Sequence, residues 1–167
     1  VHVISNPINH FSNDDKKKKN RIVYAGRISK EKGVNELIKA FINSELKDYQ
    51  LLIIGEGDLK NDLKIKYNNL SSVKFQNFLP NEDVLEIIST SKAVISATKL
   101  YEGQPRLLCE ASSLRTVSIF PSFGGMDDFF PKDYIFKFEQ FNYSDLSEKI
   151  KLLVNDEIRI SSEENVY

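Results

Sequence analysis

The sequence has a single cysteine, which excludes an intrachain disulfide framework and a cysteine-built zinc site. No stretch approaches the roughly 18 uninterrupted apolar residues that a bilayer-spanning helix needs. Histidine is nearly as scarce. His2 and His10 are the only two; they stand in a polar segment with no partner cluster, so histidine ligation of a metal is not expected. Asp14-Asp15 and Asp127-Asp128 also lack a third ligand nearby, and no bound metal or other cofactor is expected. Charge of one sign is missing too: 23 Lys and Arg stand against 24 Asp and Glu. That balance gives no general attraction to nucleic acid or to an anionic membrane. Glycine-rich nucleotide fingerprints are absent. Gly55-Glu56-Gly57 lacks the third glycine of a dinucleotide turn and there is no Walker sequence, which argues against NAD. The chain opens Val1-His2-Val3-Ile4, without an initiator methionine or a signal-peptide layout, and is expected to be a piece of a longer protein.

The 167 residues, 41% of them hydrophobic, make one domain able to bury roughly two thirds of its unfolded surface without a staple. Residues 1–20 read as a connector. Ser5-Asn6-Pro7 interrupts any helix, and Lys16 to Lys19 after Asp14-Asp15 reads as a solvated run. From Arg21 the pattern alternates. Short apolar runs at Ile22–Ala25, Leu51–Ile54, Val73–Phe75, Ala93–Ser96, Thr116–Phe120 and Tyr134–Phe136 predict buried strands. Between and after them come helical stripes: Val34 to Ile42; Leu59, Leu63 and Tyr67; Val84 to Ile88, with Asn81 as N-cap; a helix opening at Pro105; and Leu146 to Val154. The predicted fold is α/β, a Rossmann-like doubly wound parallel sheet of about six strands over residues 21–155. Residues 156–167 read as a polar tail or a truncated helix.

Ligands of such sheets bind beyond the carboxyl ends of the strands, at the switch point between the first and fourth strands. The loop after strand one, Gly26 to Gly33, carries Arg27 and Lys32, with Glu31 placed to orient Lys32. Arginine offers a planar fork to phosphate oxygens and lysine a point charge. The loop after strand four leads into Pro105, a residue suited to the first position of a helix. The amides of Arg106, Leu107 and Leu108 are then expected to be unpaired and to face an anion. Two cations and a helix start predict a phosphate or diphosphate. Glu102 and Glu110 would lie about 12 Å apart on a continuous helix, farther than a glycosidase pair. Gly103 and Pro105 break the helix between them, so the two carboxylates are expected to have separate jobs on hydroxyl-rich groups. Cys109 reads as a small core residue.

These residues resemble the nucleotide-sugar-binding, C-terminal half of retaining GT-B glycosyltransferases of family 4. Ser5-Asn6-Pro7-Ile8-Asn9 is similar to the family's interdomain segment, and Gly26 to Gly33 to its G-R-x-x-x-E-K-G loop. Ile54-Gly55-Glu56-Gly57 is similar to its I-G-x-G turn, and Phe75 to Pro80 to the segment whose backbone meets the base. Glu102 to Glu110 resembles its E-x7-E motif, and Phe123-Gly124-Gly125 its later turn. The chain departs from the family at Glu110 to Val117, where the Gly and Pro of a helix end are missing, and at Asp128, where a Glu is usual.

The resemblance implies an enzyme that moves a sugar from a nucleotide-diphosphate sugar to an acceptor. Arg27 and Lys32 would neutralise the leaving diphosphate, with Gly26, Gly103, Pro105, Arg106 and Leu107 shaping the site. Glu110 would hold the ribose, Leu79 would line the base pocket, and Glu102 would act on the donor sugar as the catalytic residue. It implies partnership with an acceptor-binding domain absent here, with no nucleic acid and no transmembrane segment, and inactivity of this piece alone. A cytoplasmic location, peripheral to the inner face of a bacterial membrane, and a role in polysaccharide synthesis are the accompanying expectations. Two other classes stay open: a related nucleotide-sugar 2-epimerase, and a non-catalytic nucleotide-sugar-binding module.

Overall fold

The computed structural model describes residues 17–103 and 105–164. His2, Ser5-Asn6-Pro7, His10, Asp14-Asp15 and Lys16 lie outside them, as does Gln104. Six parallel strands, β1 (Lys19–Ala25), β2 (Gln50–Ile54), β3 (Val73–Gln76), β4 (Ser91–Ile95), β5 (Val117–Pro121) and β6 (Lys137–Phe138), form a sheet of order β3-β2-β1-β4-β5-β6. This is the Rossmann-like doubly wound architecture, and it puts β1 beside β4. The strands are runs of Ile, Val and Leu because both faces are covered. Ile22, Val23, Leu51, Ile53, Val94 and Ile119 are all fully buried.

Helices α1 (Val34–Asn43), α2 (Lys60–Lys66), α3 (Asn81–Ser89), α4 (Arg106–Ser113), α5 (Tyr143–Lys151) and α6 (Asp156–Glu164) fill the connections and the C-terminus. α1 packs against α5, and α3 against α4.

Four local expectations need correction. β1 begins at Lys19, inside the stretch read as connector. Asn81 is the first residue of α3 rather than its cap. Extended Pro80 takes that place, and its ψ of 150° breaks the chain before the helix. Pro105 likewise caps α4 with extended backbone instead of opening it. The sixth strand lies at Lys137–Phe138, after Tyr134–Phe136. Tyr134 is tied instead to the middle of β5. Its hydroxyl accepts from the Ser118 amide and donates to the Ser118 carbonyl, each at 3.0 Å, and its ring packs with Phe120, Phe130 and Phe136. An aromatic cluster, not a ladder, buries that segment.

Arg115 adopts a φ of 49° at the position where the resembling family carries glycine. A side chain there costs on the order of 1 kcal/mol.

Residues 156–164 form α6, held against the amino ends of the strands by charge. Arg159 pairs with Glu163 at 2.6 Å and with Asp156 at 3.2 Å. Lys18 donates to the Arg115 carbonyl and the Thr116 hydroxyl, each at 2.7 Å, and lies 3.8 Å from Glu163. Burial pulls the Lys18 ammonium down to about 8. The unfolded chain keeps that proton up to about 10.4. Between these values the unfolded state binds more protons, so stability rises with pH. The stability of the wild type relative to Lys18→Met is therefore expected to increase from pH 8 to 9.5. Paired urea titrations at the two pH values measure it, and a flat or falling difference contradicts it.

Candidate functional site

A cleft of about 600 Å³ opens at the carboxyl ends of β1, β2 and β3, under the start of α4. Its walls include Gly26 and Arg27 from the β1 loop, Glu56 from the β2 loop, Leu79 from the β3 loop, and Arg106, Leu107 and Glu110 from α4. Six of the ten residues singled out in the sequence thus share one cavity. Lys32, Glu102, Gly103 and Pro105 are not on its walls.

The loops around the cleft are fixed by close backbone approach. A Cβ on Gly55 would stand 2.0 Å from the Gly26 carbonyl oxygen, and one on Gly33 would stand 2.1 Å from that of Ala97. Backbone hydrogen bonds close the same seams. The Ile28 amide donates to the Glu56 carbonyl and the Lys99 amide to the Glu31 carbonyl, each at 2.8 Å. The Tyr24 hydroxyl, buried at the end of β1, donates to the Arg27 carbonyl at 2.6 Å. Burial, then the neighbouring Glu102 and Glu31 carboxylates, push its ionisation up, so it remains a donor. Apart from its place at a strand end, the sequence carries no signal for this role.

Glu110 is buried on α4 and accepts from Arg106 Nε at 2.7 Å. Arg106 sits one turn earlier and is mostly exposed. Arg27 is exposed at the cleft mouth. The Leu108 amide donates to the Pro105 carbonyl at 3.1 Å, as does that of Cys109 at 3.3 Å. Leu108 is therefore not among the open donors expected there, because the first turn is tight enough to satisfy it. Arg106 and Leu107 occupy the first turn proper, where a helix offers their amides no acceptor.

Lys32 does not pair with Glu31. It binds Glu102 Oε1 at 2.5 Å across the two loops. The pairing was not legible because it joins residues 70 apart. Glu102 is held from behind: the Gly125 amide donates to its carbonyl at 3.1 Å, and Gly124 and Gly125 press on residues 102 and 103. Tyr101 and Phe123, both exposed, meet edge to face beside it with centroids 5.9 Å apart.

A second network also went unread. The almost buried Lys60 ammonium joins Glu56 at 2.7 Å and the Asn77 side-chain oxygen at 2.8 Å. The same Glu56 oxygen accepts from the Phe78 amide at 3.3 Å. Lys60 holds the Glu56 carboxyl below the usual range and fixes the rim where Phe78 and Leu79 stand. Among the described residues no three His, Cys, Asp or Glu side chains gather to hold a metal, and no helix is long and apolar enough to cross a membrane.

The model of the glycosyl transferases group 1 matches residues 5–166. The chain belongs to this family. It is 32% identical over 110 residues to the amylovoran biosynthesis glycosyltransferase AmsD of Erwinia amylovora, covering 65% of this chain and 31% of that protein. It thus spans about a third of this curated relative's length. The catalytic domain of Helicobacter pylori cholesterol-alpha-glucosyltransferase superposes with a TM-score of 0.76 at 27% identity, over 87% of this chain and 93% of that one. A mutant of S. aureus TarM, solved with fondaparinux, alpha-GlcNAc-glycerol and UDP, superposes at 0.85 with 20% identity, over 99% of this chain and 36% of that one. The group 1 chain thus has the fold of one half of a GT-B glycosyltransferase.

Proposed function

We propose that this chain is the donor-binding, C-terminal half of a retaining family 4 glycosyltransferase, which holds a nucleoside-diphosphate sugar while a second domain presents the acceptor. The observation that carries the reading is the shared cleft, where Arg27, the first turn of α4 and the Glu110 carboxylate face one another. In this reading the diphosphate lies against the α4 start and Arg27, with Lys32 recruited from farther along the same β1 loop. These groups stabilise the charge that grows on the leaving phosphate, an electrostatic contribution made in place and without reorganisation. Glu110 takes the ribose hydroxyls, and the base lies toward Leu79. Glu102, off the helix and beside the cleft, acts on the sugar. Charge neutralisation is assigned to side chains and helix amides, so the reading is metal-free. UDP in the TarM complex makes uracil the first base to test. The name of AmsD supports a role in bacterial polysaccharide synthesis, and a place at the cytoplasmic side of the membrane is the accompanying proposal for the whole protein.

Titration calorimetry of the chain with UDP, GDP and ADP tests the site and the base together, and a chelator arm tests the metal. Arg27→Ala is expected to weaken UDP by on the order of 1–2 kcal/mol, the lower part of the range for charged hydrogen bonds because Arg27 is exposed. An unchanged affinity refutes the phosphate assignment, and binding lost on chelation refutes the metal-free one.

A further inference from the structure

Lys32 and Glu102 are assigned above to different parts of one ligand, yet they are bound to each other. The pair joins Nζ to Oε1 at 2.5 Å, with side chains 30% and 20% exposed. Neither backbone is free to retreat. The Lys32 loop is clamped by the Lys99 amide on the Glu31 carbonyl and by the contact of Gly33 with Ala97. A Lys99–Glu36 ion pair at 2.7 Å braces the same seam. The Glu102 backbone is clamped by the Gly125 amide. The pair therefore opens only by side-chain rotation. A diphosphate that draws on Lys32 must compete with a carboxylate for the same ammonium.

We propose that Glu102 is the internal competitor of the leaving diphosphate for Lys32. This makes it a positioning residue for that cation as well as the residue that meets the sugar. The inference rests on the diphosphate reading above and goes beyond it. Binding of phosphate to Lys32 releases Glu102, and the released carboxylate accepts from a sugar hydroxyl. The two events are coupled in both directions, as linkage requires. A nucleoside diphosphate without its sugar must displace Glu102 from Lys32 and offers the carboxylate no new partner. A nucleotide sugar offers it one. The site thereby favours the intact donor over the spent one.

The consequence is a sign. Glu102→Gln removes the competing charge and should tighten UDP three- to tenfold, measured by calorimetry on this chain. In a Lys32→Gln background the same substitution should change nothing, because there is no ammonium to compete for. Glu102→Asp, which keeps the charge, should restore wild-type affinity or weaker. Damage to the loop lowers affinity and cannot produce a gain that depends on Lys32, so the sign separates competition from structural loss. If Glu102→Gln binds UDP equally or more weakly, or gains affinity equally with and without Lys32, the competition is overturned. In that case the loss in Arg27→Ala still stands as the test of the diphosphate site. If wild type binds no nucleoside diphosphate, or is indifferent to Arg27→Ala, both the site and the competition fall.

Discussion

Gly33→Ala is expected to lower the melting temperature by roughly 4–20 °C and to weaken nucleoside diphosphate binding with it. Gly33 caps the start of α1 with a φ of 65°, left-handed backbone that costs a residue with a Cβ roughly 1–2 kcal/mol. The added carbon would also stand 2.1 Å from the Ala97 carbonyl oxygen. That neighbour is backbone in the loop just after β4, and it cannot swing away as a side chain can. Overpacking of this kind costs typically 1–3 kcal/mol. The combined loss of roughly 2–5 kcal/mol converts to the stated shift at about 2–4 °C per kcal/mol for a domain of this size. Whatever relief occurs must part the β1 loop from the β4 loop, and those two loops carry Arg27, Lys32 and Glu102. Gly103→Ala is the control, since a Cβ there meets nothing within 4 Å. Thermal melts of the two variants decide the matter. An equal effect at both positions would mean that the seam between the loops is not what holds the site.

The difference between these two glycines also shows what the sequence could and could not tell. Gly33 was legible as the end of the loop after strand one, but not the carbonyl it faces, because that contact depends on β1 lying beside β4. The strand order itself was legible. Uniformly apolar runs spaced by amphipathic stripes admit few arrangements other than a parallel sheet, and right-handed connections reduce these further. The sixth strand was misplaced because Tyr134, Ile135 and Phe136 have strand chemistry yet are used in an aromatic cluster, where burial outweighs ladder pairing. At the site, residues that share an element with their motif, Gly26, Arg27, Arg106, Leu107 and Glu110, were legible as a group. The partners were not. Lys32 with Glu102 and Lys60 with Asn77 join separate elements of the chain, and no local pattern encodes which acceptor a given lysine meets. Glu31, adjacent in sequence, was the wrong choice for Lys32 for that reason.

Glu110→Gln is expected to weaken UDP by about 1.5–3 kcal/mol, ten- to hundredfold, while leaving inorganic pyrophosphate affinity almost unchanged. Glu110 is buried on the cleft wall, and its Oε1 takes the Arg106 Nε hydrogen at 2.7 Å. An ionised carboxylate there is an acceptor only, and a pair of ribose hydroxyls is a pair of donors. Glutamine keeps the shape and one acceptor but turns a charged hydrogen bond into a neutral one. Its amide also presents donors toward Arg106, where an acceptor stood. Pyrophosphate has no ribose, so it reports the Arg27 and α4 end of the cleft by itself. The two ligands together locate the loss. Arg106→Ala serves as the companion variant. It removes a mostly exposed partner and leaves the Glu110 charge in place, so the UDP loss should be smaller than in Glu110→Gln. If pyrophosphate and UDP weaken by the same factor in Glu110→Gln, the carboxylate is supporting the helix start and not the ribose. The ribose would then have to be placed away from Glu110, with the diphosphate still at the α4 start.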